Sequence, residues 1–215
     1  MKKLTTASIA LVCVATFLIA AQAVTSKNIV GYNKTVLNSG LQLLGMSFIK
    51  TNATPETIFG DRLPVGSKVY FYNGATYDIS EYANRFGEVS WKPNFDIGQG
   101  DAYWVEVPAG TMTNLLSGEV ETADAVTNTV VPGLQLFAFS YPVEMKIKDL
   151  GFTPTLGDKI YYYNGITYDI SEYANRFGEI SWKPEITIPV GMGFWYESHS
   201  STNTVWIAER PFDVD

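Results

Sequence analysis

The sixteen-residue stretch NGATYDISEYANRFGE, at Asn73–Glu88, decides how this chain is organised, because it occurs twice. It returns at Asn164–Glu179 with one change, from Ala75 to Ile166. Self-similarity over a stretch of this length is the signature of an internal repeat. The sequence therefore predicts two copies of one structural unit.

The similarity extends to both sides of this block. The further matching segments are Gly40–Leu43 with Gly133–Leu136, Trp91–Pro93 with Trp182–Pro184, and Trp104 with Trp195. We place the first unit at residues 24–118 and the second unit at residues 119–215. The polar segment Glu119–Thr127 joins them and contains neither glycine nor proline. Because this link is short, we expect the two units to lie next to each other.

Both units consist of short apolar runs separated by glycine, proline and asparagine, a pattern typical of many short strands. Asn73-Gly74, between Lys68–Tyr72 and Ala75–Ile79, predicts a hairpin, since Asn-Gly accepts the positive φ angles of a type I′ turn. Lys159–Ile170 predicts the equivalent hairpin. We expect an all-β fold of two tandem antiparallel β-sandwich or barrel-like repeats, packed side by side along a shared apolar seam.

Residues 1–23 have the three parts of a secretory signal peptide. A basic start precedes an apolar run, and Ala21-Gln22-Ala23 forms a small-x-small cleavage site. The apolar run is too short and too rich in threonine and serine for a membrane-spanning helix. We therefore expect a secreted protein, in the periplasm, at the cell surface or outside the cell, with no membrane insertion after cleavage.

Charge and cysteine content narrow the classes of partner. The net charge is −7 at pH 7, and no cluster of lysine or arginine offsets it locally, so nucleic acid is not an expected partner. The single cysteine, Cys13, lies in the predicted leader, which leaves the mature chain without disulfides or thiolate sites. The expected partners are another protein, a second copy of this chain, or a polysaccharide.

The many tyrosine and tryptophan residues suggest a surface that stacks on sugar rings or holds apolar anchors of a partner. The candidate ligand-binding residues are Trp91, Trp182, Tyr70 and Tyr161. Side chains alternate across a strand, so at most half of the rings of each strand can face outward, and the rest form core. Burial of both tryptophans would remove the best platform for a sugar.

The duplicated block also carries carboxylates, at Asp78 and Glu81 in the first unit and at Asp169 and Glu172 in the second. Paired carboxylates are the residues of glycoside hydrolases, and calcium is a second ligand that such oxygens could hold. The spacing is specific for neither, and an active site duplicated intact within one short chain is unusual. We expect a solvated hairpin, no catalytic residue, no metal and no cofactor.

The lone histidine, His199, has Pro108 as its counterpart in the first unit. A Ser-His-Asp triad would depend on this one residue, and a zinc site would need further imidazoles. Neither the triad nor the zinc site is supported by a surrounding motif. We expect His199 to lie in a polar turn.

Gly40–Phe48, Lys68–Tyr72 and Gly100–Val105 together resemble a repeat of exported bacterial β-proteins that reads Gly-Trp-Asn-Leu, then an aromatic strand, then Gly-x-Gly-Tyr-Trp-Val. Uncharacterised secreted proteins of planctomycete and verrucomicrobial bacteria carry it. The resemblance implies a secreted, non-enzymatic structural or interaction module of the cell envelope or extracellular space. The alternative is a carbohydrate-binding module that uses exposed aromatic residues.

Overall fold

The computed structural model describes residues 29–214, so the predicted signal peptide lies outside the described residues. Strands account for 55% of these described residues and helices for 4%. All strand pairs are antiparallel, and two five-stranded sheets lie side by side. The predicted all-β fold of two adjacent repeats is confirmed at this level.

The first sheet belongs to the first unit and has the strand order β1-β5-β2-β3-β4. Its elements are β1 (Val30–Gly45), α1 (Pro55–Phe59), β2 (Lys68–Tyr72), β3 (Tyr77–Arg85), β4 (Glu88–Lys92) and β5 (Ala102–Glu119). The longest strands, β1 and β5, pair along their whole length, with one register shift between Asn38 and Gly40. We call this long pair the arm of the first unit.

The second sheet has the equivalent order β11-β10-β9-β13-β7, and two short pairs, β12-β8 and β14-β6, lie outside it. The strands are β6 (Ala125–Val130), β7 (Gly133–Ala138), β8 (Met145–Lys146), β9 (Lys159–Tyr163), β10 (Tyr168–Arg176), β11 (Glu179–Lys183), β12 (Thr187–Ile188), β13 (Gly193–Ser198) and β14 (Thr204–Glu209). A 3-10 helix spans Ile147–Asp149.

The one α-helix among the described residues, α1, is short and spans Pro55–Phe59. Thr54 caps it, because its hydroxyl accepts a hydrogen bond from the Thr57 amide and the Thr57 hydroxyl accepts one from the Thr54 amide. This reciprocal pair is a capping box, which satisfies amides that the first turn leaves without partners. The helix buries Ile58 and Phe59 in the core of the first unit.

The predicted hairpin between β2 and β3 forms, but its turn differs from the prediction. Tyr72 pairs with Tyr77, so four residues rather than two form the loop. The side-chain oxygen of Asn73 accepts hydrogen bonds from the amides of Ala75 and Thr76, at 3.2 and 3.0 Å. The two-residue Asn-Gly turn was therefore wrong, because Asn73 holds the loop through its side chain.

A two-residue turn with both φ angles positive occurs instead in the next hairpin, between β3 and β4. Arg85 pairs with Glu88, and Phe86 and Gly87 have φ values of 58° and 89°. The second unit repeats this turn at Phe177-Gly178, with 57° and 86°. We call Phe86-Gly87 the first tip and Phe177-Gly178 the second tip.

Each unit has its own core on one face of its sheet. In the first unit Val69 of β2 lies opposite Val105 of β5, and both are fully buried. In the second unit Ile160 and Tyr196 are the equivalent pair. Trp206 of β14 completes the second core and donates its indole N–H to the carbonyl of Leu150 at 2.6 Å.

The two units meet along a seam that is reciprocal in its backbone contacts. The Gly45 amide donates to the Gly191 carbonyl, and the Ala138 amide donates to the Gly100 carbonyl, both at 2.8 Å. Gly45 and Ala138 occupy equivalent positions of the two units, as do Gly100 and Gly191. Such reciprocity is the mark of an approximate twofold axis between them.

Side chains repeat this symmetry and fill the seam. The buried residues of the seam are Leu43, Ala102, Trp104, Ala138 and Trp195. Tyr72 packs edge-on against Trp195 at 5.2 Å between ring centroids, and Tyr163 packs in the same way against Trp104 at 5.1 Å. The units therefore share an apolar layer in addition to their separate cores.

Candidate ligand-binding surface

The two tryptophans that the sequence offers as sugar platforms are inside the protein. Trp91 is 1% exposed and Trp182 is 7% exposed. Trp91 stacks on Tyr82 at 5.3 Å and donates its indole N–H to the Gly60 carbonyl. Neither tryptophan can present a ring to a ligand, which corrects that part of the expectation. Both tryptophans lie on the core face of their strands. Alternation in the sequence separates the two faces of a strand but does not determine which of them is buried.

Tyr70 and Tyr161 lie on the opposite face of their sheets, each in a groove open to solvent. The first groove has a volume of about 500 Å³ and the second about 600 Å³. The first is lined by Leu41, Tyr70, Tyr77, Ile79, Trp104 and Glu106. The second is lined by Leu134, Tyr161, Tyr168, Ile170, Trp195 and Glu197. These two sets occupy equivalent positions of the repeat.

Strand register explains why these residues converge. Tyr70 of β2 lies opposite Trp104 of β5 and opposite Ile79 of β3. Because residues directly opposite in an antiparallel pair point to the same face, the three form a row across the sheet. Leu41 extends the groove along β1, where it lies opposite Glu106. Trp104 is the buried floor, whereas Leu41 and Ile79 are exposed at the rim.

A hydrogen bond between a tyrosine and a glutamate fixes one wall of each groove. The Tyr70 hydroxyl donates to Glu106, and the Tyr161 hydroxyl donates to Glu197. Burial, together with this bond and the glutamate charge, raises the pKa of Tyr70 and of Tyr161 to about 12. Each hydroxyl therefore keeps its proton at neutral pH and holds the carboxylate in place.

The two grooves join at the seam. Tyr168 and Trp195 of the second unit also line the first groove. Tyr72 contacts both Tyr77 and Trp195, at 5.4 and 5.2 Å between ring centroids, and so links the two sheets. We call the joined grooves the aromatic face.

The grooves of the aromatic face are lined by the same residues in both units. All six groove positions carry the same residue in both units. Tyr82 and Trp91 of the core recur as Tyr173 and Trp182, but several other core-face positions differ between the units. These are Val69 with Ile160, Phe71 with Tyr162, Leu44 with Phe137, Tyr103 with Phe194 and Val105 with Tyr196. Cores ordinarily constrain residue type more than solvent-facing positions do, because close packing penalises a change of volume. Here all six groove positions are unchanged, whereas several core positions are not.

Several carboxylates of the duplicated block are engaged in local hydrogen bonds or ion pairs. Asp78 accepts a hydrogen bond from the Asn73 side chain at 3.3 Å, which ties it to the β2–β3 loop. Glu81 pairs with Arg85 at 3.8 Å, and Glu179 pairs with Lys183 at 3.1 Å. Within residues 29–214, no group of three or more histidine, cysteine, aspartate or glutamate residues is placed to hold a metal ion.

A buried carboxylate in the second unit was not anticipated from the sequence. Asp158 is 1% exposed and accepts hydrogen bonds from the Tyr196 hydroxyl and from the amides of Thr155 and His199, at 2.5, 2.8 and 2.6 Å. The signal that could have revealed it is a paired change between the units: Ser67 and Val105 of the first unit become Asp158 and Tyr196. His199 lies beside this carboxylate, with Nδ1 at 3.9 Å from Asp158 Oδ1.

Comparisons of this chain with protein-family models, with curated proteins and with solved structures found no match. No helix within residues 29–214 has the length and apolar character needed to cross a membrane. The fold and the grooves define a class only: a duplicated antiparallel β-protein with a twofold aromatic face.

Proposed function

We propose that this protein is a secreted, non-enzymatic interaction module of the cell envelope or extracellular space, and that it binds its partner at the aromatic face. The observation that carries this proposal is the identity of the six groove residues in two units that differ at several core-face positions. An exposed apolar surface does not stabilise the monomer, so a binding role accounts for its retention in both units.

The grooves have the composition and rigidity of a binding site. Tyrosine and tryptophan contribute large contact areas at low cost in conformational entropy. Trp104 is fixed by Tyr163 across the seam, and Tyr70 is fixed by Glu106. A partner's aromatic anchor that removes about 150 Å² of apolar surface from water gains roughly 4 kcal/mol before the costs of association. Preorganised rings reduce those costs.

Two grooves on one face also favour a partner with two anchors. Once one anchor is bound, the second binds at a high effective concentration, and the combined affinity exceeds that of either groove. Weak individual contacts therefore suffice for stable attachment.

A carbohydrate is the second candidate, and a specific feature favours it. Tyr77 and Tyr168 are each more than one-third exposed at the groove rims. Glu106 and Glu197 lie in the same grooves as hydrogen-bond acceptors for hydroxyl groups. Sugar binding commonly combines a ring with such an acceptor. The leucine and isoleucine at the rims favour an apolar anchor over a sugar, which places this candidate second.

Tryptophan fluorescence of the mature protein tests both candidates. The protein is titrated with phenylalanine-bearing peptides and, separately, with soluble polysaccharides, and acrylamide quenching is measured at each step. Binding at the grooves is expected to change the emission of Trp104 and Trp195. The double variant Ile79→Asp with Ile170→Asp places charges on both exposed rims and is expected to abolish the change.

The matched control is Val65→Ser with Leu156→Ser, an equivalent pair of exposed apolar residues outside the grooves. It is expected to bind as the native protein does. Full binding by the charged-rim variant would contradict the proposal. A response to polysaccharides alone would make carbohydrate the ligand.

A further inference from the structure

The tips of the β3–β4 and β10–β11 hairpins carry the most exposed large apolar side chains in residues 29–214. Phe86 and Phe177 have their side chains fully in solvent. Each follows an arginine and precedes the glycine of a two-residue turn. A phenylalanine so placed contributes nothing to either core.

The backbone at these phenylalanines is also unfavourable for their residue type. Both have φ near +57°, the left-handed region, which a bulky side chain rarely adopts and which asparagine and glycine accept at low cost. The turn is supported by Asn84, whose side chain accepts from the Gly87 amide at 3.0 Å, and by Asn175 in the same way. Neither burial nor turn chemistry accounts for phenylalanine here, which indicates a contact outside the molecule.

The tips match the grooves in number and in chemistry. Each chain has two projecting phenylalanines and two apolar grooves lined by tyrosine, tryptophan and isoleucine. Charge matches as well: Lys159 lies between Glu172 and Glu197 in strand register, so carboxylates outnumber cations at the rim of the second groove. Arg176, beside Phe177, is exposed and makes no ion pair with another described residue.

We propose that the partner of the aromatic face is a second copy of this chain, whose hairpin tip inserts Phe86 or Phe177 into a groove. This inference rests on the proposed function, since it names the occupant of the same grooves. The second tip is the stronger anchor, because Arg85 of the first tip is engaged by Glu81 at 3.8 Å and by the Lys92 carbonyl at 3.4 Å.

Strand direction makes the contact intermolecular. β3 begins at Tyr77, beside the seam, and reaches Phe86 nine residues later, a span of roughly 30 Å at the rise of an extended strand. Each tip is therefore remote from the groove of its own unit, and the approximate twofold axis places the two tips at opposite ends. A contact between two different surfaces is heterologous, so the expected product is an open chain of molecules, or a ring where the rotation closes.

Sedimentation velocity of the mature protein over a range of concentrations tests this proposal. The native sedimentation coefficient is expected to rise with concentration. The double variant Phe86→Asn with Phe177→Asn is expected to weaken self-association by about tenfold or more. Phe177→Asn alone is expected to weaken it more than Phe86→Asn alone. Asparagine suits the left-handed turn, so the variant is expected to keep or raise the melting temperature.

A cyclised hairpin peptide with the sequence of residues 172–183 provides the second measurement. It is expected to bind the double tip variant, whose grooves are intact, and to change its tryptophan emission. It is expected not to bind the Ile79→Asp, Ile170→Asp variant. Val65→Ser with Leu156→Ser is the control and is expected to associate as the native protein does.

Three results would overturn the self-association proposal. In the first, the native protein stays monomeric and its grooves do not bind the tip peptide but still bind other probes. The proposed function would then hold with a different partner. Association that persists in the double tip variant would place the interface elsewhere. In the third, the native protein does not self-associate but binds phosphatidylcholine vesicles, and the double tip variant does not bind them. The tips would then be lipid anchors. Grooves that respond to no probe would instead defeat the proposed function itself.

Discussion

The first unit keeps its arm whole, whereas the second unit breaks the equivalent arm in two. β1 and β5 pair continuously apart from one register shift, but their counterparts are divided into β7 with β13 inside the sheet and β6 with β14 outside it. The break follows Ser198 and precedes Gly133. Yet the grooves and the tips of the two units are the same in sequence. The duplicated protein thus tolerates a change of architecture in the arm while its exposed face stays constant.

Two local features account for the break. Pro132 lies in the gap between β6 and β7 and has no amide hydrogen to donate to a neighbouring strand. On the facing segment, Asp158 accepts a hydrogen bond from the His199 amide at 2.6 Å, which holds the chain at that point away from the sheet. Loss of a strand donor is not sufficient for a break, because β5 continues through Pro108 in the first unit. The first unit has Ser67 where the second has Asp158, and it has no carboxylate there to divert the chain.

The largest expected effect comes from removing that carboxylate. Asp158→Ala would leave the Tyr196 hydroxyl and two amides without their acceptor, and we expect it to lower the free energy of unfolding by about 3 kcal/mol. The matched change in the first unit, Ser67→Ala, loses one hydrogen bond, to the Pro64 carbonyl, and is expected to cost about 1 kcal/mol. Urea denaturation measures both. Equal costs in the two units would show that Asp158 does not set them apart.

A somewhat smaller effect is expected at the seam, where the two units are held together. A Cβ atom added at Gly45 would lie 2.4 Å from the Ala138 Cβ and 2.8 Å from the Met192 carbonyl oxygen. We expect Gly45→Ala to lower the free energy of unfolding by about 2 kcal/mol, because backbone on both sides must shift. Ala138→Gly added to it should restore part of this loss, since the Met192 contact remains. A double-mutant cycle by urea denaturation measures the coupling, and additivity of the two changes would argue against contact at this point.

The smallest expected effect concerns Tyr70 and Tyr161, the equivalent tyrosines of the two grooves. The pKa of Tyr70 and of Tyr161 is about 12 in the folded protein, above the ordinary value of 10, so unfolding releases protons more readily at alkaline pH. This contribution to stability is complete below pH 10 and is lost as the pH rises from 10 to about 12. Tyr70→Phe and Tyr161→Phe should each reduce that alkaline loss, and to a similar extent. Urea unfolding at a series of pH values measures the loss of stability, and absorbance at 295 nm reports phenolate formation. If only one of the two variants changes that loss, the two grooves are not equivalent.

Much of the architecture follows from sequence because its determinants are local. The duplicated block, the alternation that separates Tyr70 from Phe71, and the helix start at Thr54 depend on residues close in the chain. The choice of face for Trp91 depends on which side of the sheet the rest of the unit covers, and alternation leaves that undetermined. The first tip was missed because phenylalanine is a poor indicator of a left-handed turn. The grooves required the register of three strands, β5, β2 and β3, which are distant in sequence.

The seam also bears on how the chain arose. Across a true twofold axis between identical molecules, a residue on the axis meets its own copy, so Gly45 would face glycine and Ala102 would face alanine. In the joined chain Gly45 faces Ala138, and Ala102 faces Gly193, where a second Cβ would stand 2.5 Å from the first. In a single polypeptide the two sides of the seam can carry different residues. At each of these two contacts one alanine methyl group fills the space and meets no second methyl group. A symmetric dimer of identical chains could not place alanine opposite glycine at both of these points.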